Sequence, residues 1–232
     1  MTDSSVRRAL RVEAEQLAAA VASEPPAALA RPSPCPPWTV ADLLYHVRTG
    51  LARLGDMLAE PEPGREALAG GLVSAVGYFR PDHRFSPATN ADRIASARRG
   101  AASLAAEALP ADFQQAWHQA WAALQAAPPH RLVRTRHGDF MLLTDFLRTR
   151  VLELAVHGLD LAAGLNRAPW LTPEAASVVE DLVLTPGLAA DVRQRLGWDH
   201  ATLIAKVTGR RPLTPAESMM VKAEHIHWLS LG

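Results

Sequence analysis

Apolar positions recur along this chain at the three- and four-residue spacing of helices, with one short exception. From Ser4 to about Ser23 the apolar positions Val6, Leu10, Leu17 and Val21 alternate with Arg and Glu, which predicts an amphipathic helix. The next stretch, EPPAALARPSPCPPW, holds too many prolines to continue it and predicts a connector ordered by packing. A clean helix start follows. Thr39 can cap it, Asp42 three residues on completes a capping box, and the apolar spacing runs to about Glu60.

Residues 61–88 form a long irregular segment with room for a short helix near Leu72; segments of this length in a compact domain tend to be functional, and this one carries Tyr78, Arg80 and His83. A third helical region is predicted from Asn90 to about Leu109, with Pro110 opening a further section to about Ala126. Within these, Arg98 and Arg99 read as a solvated face and Trp117 and Trp121 as core. RLVRTRHGDFMLL has two short β-prone runs about His137 and Gly138, a hairpin or extended connection. Thr144 then caps a helix that Gly164 and Asn166 end. From Pro169 the pattern gives three or four shorter helices, broken at Pro186-Gly187, Gly197 and Gly209. The expected fold is mainly all-α: a four-helix bundle over residues 1–165, a short β hairpin, and a small, mostly helical C-terminal region over residues 166–232.

Composition narrows the function classes. With 48% apolar residues in 232, the chain can build a substantial core. Lys plus Arg and Asp plus Glu balance at 24 each, so there is no electrostatic footprint for nucleic acid or a membrane surface. No apolar run approaches the ~18 residues of a membrane span, and the charged N-terminus lacks a signal-peptide core. One cysteine excludes an internal disulfide and points to the cytoplasm. Lys206 and Lys222 are the only lysines; this arginine and alanine bias is that of a GC-rich genome.

The chemistry concentrates in two helices. In DFLRTRVLELAVHGLDLAAGL, Glu153 and His157 lie four residues apart on one helix face, flanked by Leu152, Leu154 and Val156. Burying both on an apolar helix is costly unless a partner satisfies them, and a divalent metal would. A surface ion pair is the plainer alternative. His46, flanked by Leu43, Leu44 and Val47, supplies a third ligand if its helix packs alongside; two imidazoles and a carboxylate leave a position open, as in catalytic zinc sites.

CPPWTVADLLYHV resembles the N-terminal signature of the mycothiol-dependent maleylpyruvate isomerase family, a branch of the DinB-like metal-binding bundles, with its pattern Cys-Pro-x-Trp-Thr-Val-x-Asp-Leu-x-x-His. RTRVLELAVHGLDLAAGL is similar to its second signature, Arg-x-x-Glu-x-x-x-His-x-x-Asp-Leu, and HATLIAKVTGRRPLTP to a shorter motif whose arginine faces the active site. The resemblance covers roughly residues 5–165. It implies His46, Glu153 and His157 as ligands of a divalent metal, with zinc favoured by the mixed donor set, and mycothiol as co-substrate. The coding bias agrees with the actinobacteria that make this thiol. A small electrophile completes the reaction, as either an isomerisation or an S-transfer.

Around these ligands, Asp160 can orient an imidazole, touch the thiol, or simply pair with Arg150 or Arg167. Arg150, three residues before Glu153, can share its face and is a candidate to bind cofactor or substrate, or simply to hold the carboxylate. Arg210 and Arg211 are candidates to anchor an anion through a bidentate guanidinium, against a plain surface pair. Cys35 reads as a small packing residue or a redox-sensitive thiol. Glu224, His225 and His227 are too closely spaced to share a helix face and do not suggest a second metal site. A metal-dependent hydrolase using Asp160 or Asp42 as base, and a non-catalytic metal-binding module, are the competing readings. The chain is expected to be a monomer or a homodimer.

Overall fold

The computed structural model describes residues 2–221 apart from 65–67, 69, 81, 83, 84, 185 and 186. His83, Pro186, Glu224, His225 and His227 lie outside the described residues. Four long helices make a bundle: α1 (Asp3–Ala22), α3 (Val40–Ala59), α5 (Leu109–Ala126) and α6 (Leu143–Gly164). Each packs against two neighbours, α1 on α6 and α5, α3 on α5 and α6, which closes a square. The short α2 (Pro26–Leu29) lies between α1 and α3, and α4 (Pro87–Ala102) lies against α3. The mainly α-helical fold is therefore the one the apolar spacing predicts.

Each bundle helix buries the stripe its sequence dictates. On α5 this is Phe113, Ala116, Trp117, Ala120 and Leu124, and on α3 Leu43, Leu44, Val47, Leu51 and Leu54. Helix α6 is buried on nearly every side, because α7 (Pro173–Val183) packs against it and α1 on the face away from α3. Helices α8 (Ala189–Leu196), α9 (His200–Val207) and α10 (Pro215–Val221) follow, and α9 sits on α7 and α6. Gly197 ends α8 in the left-handed region at φ 66°, where a side chain would be strained. Among the described residues, no helix is long and apolar enough to cross a membrane.

The connector before α3 is pinned at both ends. Ser33 donates twice to the Trp38 carbonyl, from its amide at 3.0 Å and from its hydroxyl at 2.9 Å. Pro32 and Thr39 form an isolated β-bridge, and Arg31 Nη1 donates to the carbonyl of Leu165 at the end of α6. The capping box is complete: the Asp42 amide donates to Thr39 Oγ1, and the Thr39 amide to Asp42 Oδ2 at 2.9 Å. The entry of α3 is thus tied to the exit of α6. A Cβ on Gly164 would lie 2.8 Å from Val40 Cγ2 and 3.4 Å from the Pro32 carbonyl. Gly164→Ala is expected to cost about 1 kcal/mol net, overpacking exceeding the gain in helix propensity, and urea denaturation would measure it.

Two local expectations need correction. Helix α4 begins earlier and ends sooner than the predicted 90–109, because Ser86 caps it through the Thr89 amide, Pro87 takes its first turn, and Ser103 turns back to the Gly100 carbonyl. Thr144 does not cap α6. Strand β2 (Phe140–Leu142), paired antiparallel with β1 (Leu132–Arg134), runs straight into the helix, and the Thr144 hydroxyl donates to Asp3 on α1 instead. The short helix expected near Leu72 has a counterpart in the 3-10 geometry of Leu68 and Gly70, although Leu72 itself is not helical, and a further 3-10 turn forms at Gly77–Phe79.

Candidate metal centre

Two helix stripes face each other across a cavity of about 440 Å³. From α3 come His46, Gly50, Arg53 and Met57, and from α6 Phe146, Arg150, Glu153 and His157, each set at helical spacing. Helix α4 contributes Arg93 and Ala97, the hairpin Arg134 to Gly138, and the long segment Tyr78, Phe79 and Phe85.

At the floor, His46 Nε2 lies 3.8 Å from Glu153 Oε2, and His157 Nε2 lies 3.4 Å from the same oxygen. The three donor atoms are all within 4.8 Å of one another. Donors around a tetrahedral zinc at ~2.0–2.1 Å stand about 3.3 Å apart, so a small inward movement seats the ion; the residues fit the group the family signature implies. The imidazole of His46 is held by Trp38, centroids 4.8 Å apart, and meets His157 edge-on at 5.2 Å. Among the described residues no fourth histidine, cysteine or carboxylate joins this trio.

Behind His157 lies Asp160, 2% exposed. His157 Nδ1 donates to Asp160 Oδ2 at 3.0 Å, which places the proton of the neutral ring on Nδ1 and leaves the Nε2 lone pair, facing Glu153 and His46, free to ligate a metal. The same oxygen accepts from Arg210 Nη2 at 3.3 Å and from Cys35 Sγ at 3.2 Å. Three segments far apart in sequence thereby fix one imidazole.

Burial shapes the electrostatics. It lowers the His46 pKa to about 4, with the charges of His157 and Arg93 adding and Glu153 opposing, so His46 is neutral at physiological pH and suited to ligate. Burial works against the Glu153 carboxylate too, but contacts with His157 and His46 and the charge of Arg150 outweigh it and hold its pKa well below normal. For His157, Asp160, Cys35 and Glu153 likewise outweigh burial, so without a cation it carries a proton that a metal would displace. Asp160 stays ionised because His157 and Arg210 more than offset its own burial.

The other sequence candidates divide. Arg150 lines the cavity, its Nε donating to Thr149 Oγ1 and its guanidinium lying over Phe146 and Tyr78. Arg210 sits on Asp160 rather than on the cavity wall, and Arg167, the other partner considered for Asp160, pairs with Glu24. Arg211 points away, to the Thr202 hydroxyl at 3.3 Å, and does not line the cavity. Cys35 is half-buried and belongs to the Asp160 cluster, which its position two prolines before a helix could not disclose. Asp42 is consumed by the capping box, and neither it nor Asp160 reaches the cavity. Tyr78 lines the wall, edge-on to Phe146, whereas Arg80 is exposed and bonded to the Gly77 carbonyl. Local sequence carried no sign of Arg53, Arg93 or Arg136, which converge only through the tertiary fold.

Asp160→Asn keeps an acceptor for His157 Nδ1 but loses the negative charge. Metal affinity is expected to fall about tenfold, as for outer partners of metal-bound histidines, and chelator competition would measure it.

No curated protein matches the chain. Among solved structures it is similar to a mycothiol-dependent maleylpyruvate isomerase, at 17% identity and a TM-score of 0.50, over 69% of this chain and 61% of that one. It is also similar to a histidine-to-alanine variant of a mycothiol-dependent maleylpyruvate isomerase, at 15% identity and a TM-score of 0.53, over 84% of this chain and 71% of that one. At these identities the likeness is one of fold. The match to the first spans about three fifths of its length. Residues 10–162 match the sequence profile of the mycothiol maleylpyruvate isomerase N-terminal domain, and this chain belongs to that family.

Proposed function

We propose that this protein is a metal-dependent enzyme of the maleylpyruvate isomerase kind, using mycothiol as nucleophile against a small electrophile. One observation carries the reading: three metal-type donors, two imidazoles and a carboxylate, converge at the floor of a cavity large enough for a small molecule, with no fourth protein donor among the described residues. A purely structural zinc is closed by four protein ligands; three with an adjoining cavity is the pattern of catalytic sites. A divalent ion held there supplies positive charge that lowers the pKa of an incoming thiol towards neutrality.

The chain's own residues do the rest. His46 is kept neutral by burial, and Trp38 fixes its ring plane. Asp160 keeps the His157 proton on Nδ1, with Arg210 and Cys35 holding Asp160. Residues 1–165 provide the ligands and the C-terminal region contributes Arg210 as a positioning residue. Tyr78, Phe79 and Phe85 line the cavity with rings that limit water. A thiolate in this cavity adds to an activated double bond, permits rotation, and leaves again in an isomerase; in a transferase the carbon–sulfur bond remains. The hydrolase alternative needs a general base at the cavity, and Asp42 and Asp160, the two candidates for it, are both engaged elsewhere. A cytoplasmic setting agrees with the thiol.

Elemental analysis of the purified protein, with calorimetric titration of mycothiol into metal-loaded and metal-stripped forms, tests this reading. One metal per chain with metal-dependent thiol binding is expected; metal without thiol binding would overturn it in favour of a binding module.

A further inference from the structure

Arg210 reaches Asp160 from the connection between α9 and α10, residues 208–214, and a connection must itself be held before its side chain can hold anything else. Its start is fixed by local geometry. The Thr208 hydroxyl donates to the Ile204 carbonyl at 2.7 Å, and Gly209 turns the chain through the left-handed region at φ 75°. Arg210 Nη1 donates back to the Thr208 carbonyl at 3.0 Å, while Nε and Nη2 both donate to Asp160 Oδ2, at 3.4 and 3.3 Å. The far side is held by Lys206. Its Nζ donates to the Pro212 carbonyl at 3.1 Å and to Glu217 Oε2 at 2.7 Å, and lies 5.3 Å from the centroid of the Trp198 ring.

Glu217 and Trp198 complete a clamp. Glu217 Oε2 also accepts from the Thr214 amide at 2.8 Å, and Oε1 from the Trp198 indole nitrogen at 2.8 Å. Lys206 first, and then the Thr214 amide, hold the Glu217 pKa down to about 2, so the carboxylate is ionised throughout the physiological range. Lys206 is 8% exposed, and an ammonium so buried is costly unless it is paired and hydrogen-bonded. Its residue type is informative as well. Lys206 and Lys222 are the only lysines among 24 Lys and Arg residues, so a lysine stands here against the bias of the chain. A compact ammonium fits among a carbonyl, a carboxylate and an indole face, where a planar guanidinium fork would not. The Gly209 amide bonds to the Lys206 carbonyl and the Arg211 amide to that of Ala205, so both neighbours of Arg210 are tied to α9, which rests on α7 and α6.

We propose, resting on the metal-centre reading above, that Lys206 is a positioning residue for that centre: clamped with Glu217 and Trp198, it fixes residues 208–214 so that Arg210 holds Asp160, and Asp160 holds the His157 imidazole. Each step is a hydrogen bond or a short stretch of backbone. With the clamp released, Arg210 no longer fixes Asp160 Oδ2, and the carboxyl group can turn away from His157 Nδ1. The ring that presents Nε2 to the metal then loses its outer support.

Lys206→Met, Arg210→Gln and the double variant test this as a cycle, because a line of contacts becomes a coupling only when it is measured as one. In metal-stripped protein, NMR of the His157 Nδ1 proton reports through its exchange with water how firmly the bond to Asp160 is held. Each single variant is expected to speed that exchange about tenfold and the double variant no further, since both act through one contact. In metal-loaded protein, chelator competition should show affinity about tenfold lower in each single variant, again without addition. Glu217→Gln enters the same cycle from the other side of the clamp, should Lys206→Met fail to fold. Glu180→Gln is the control for stability alone. It weakens the pairing of a buried carboxylate with Arg193 and His200 in the same region, and should lower resistance to urea while leaving exchange and metal affinity at the parent values. Unchanged exchange in the clamp variants, a further tenfold change in the double variant, or an equal change in Glu180→Gln would overturn the proposal. A parent protein that takes up no metal but shows the expected exchange cycle would sink the metal-centre reading and leave the positioning of His157 standing.

Discussion

Glu153→Ala is expected to lower metal affinity more than about 100-fold, beyond the ten- to hundredfold loss typical of outer-shell partners. Glu153 is the only anion among the three donors and is shared by both imidazoles, at 3.8 and 3.4 Å. Removing it leaves two imidazole rings 5.2 Å apart, one of them buried, with nothing to offset a cation's charge. His46→Ala should behave similarly. Cys35→Ala should retain metal, and this contrast matters because Cys35, His157 and Asp160 form a second set of closely spaced donors. His157 belongs to both sets, through Nε2 in one and Nδ1 in the other, so its replacement cannot tell them apart. His46 and Glu153 belong to the first alone. Metal content and chelator competition, with circular dichroism to confirm folding, would decide: full occupancy in Glu153→Ala and loss in Cys35→Ala would move the ion to the other side of His157.

The elements that could be read from the sequence are those whose information is local. The capping box at Thr39 and Asp42 needs only four residues, and the Glu153–His157 pair only one helical turn. The bundle itself follows from apolar stripes on helices long enough to display them. Failures came where a neighbour in space outbid the local signal. Thr144 looks like a cap, but a strand enters the helix directly and α1 offers Asp3 to its hydroxyl. Arg210, an anion-anchor candidate by sequence, bonds to Asp160, fifty residues earlier and 2% exposed, a contact that no local pattern announces. The arginines of the cavity wall lie on four segments, and no spacing rule links residues 53, 93, 136 and 150 before the helices pack.

Glu13 shows the same dependence on packing and gives the second large effect, on stability. It lies on α1 under α6, 1% exposed, with Oε2 accepting from the amide of Thr172 at 2.9 Å and from its hydroxyl. Among the described residues Oε1 has no partner, nor does the buried Trp170 Nε1, and both border Gly158, next to His157. Burial raises the Glu13 pKa to about 7, the Thr172 hydrogen bonds opposing and Glu174 adding slightly. The folded state therefore holds a proton that the unfolded chain releases near the ordinary 4.5. Stability from this group is fully present below the unfolded pKa and is lost as pH rises to the folded one, a total of about 3 kcal/mol. Glu13→Gln keeps the acceptor for Thr172 and removes the titration. The variant should match the parent near pH 4 and exceed it by about 3 kcal/mol at pH 8, in urea denaturation compared at each pH. Parallel pH profiles would mean that Glu13 is charged in the fold and that another group supplies its counter-charge. The expected divergence would mean that the contact between α1, α6 and α7 that supports His157 is held by a neutral carboxyl group, and loosens as the solution turns alkaline.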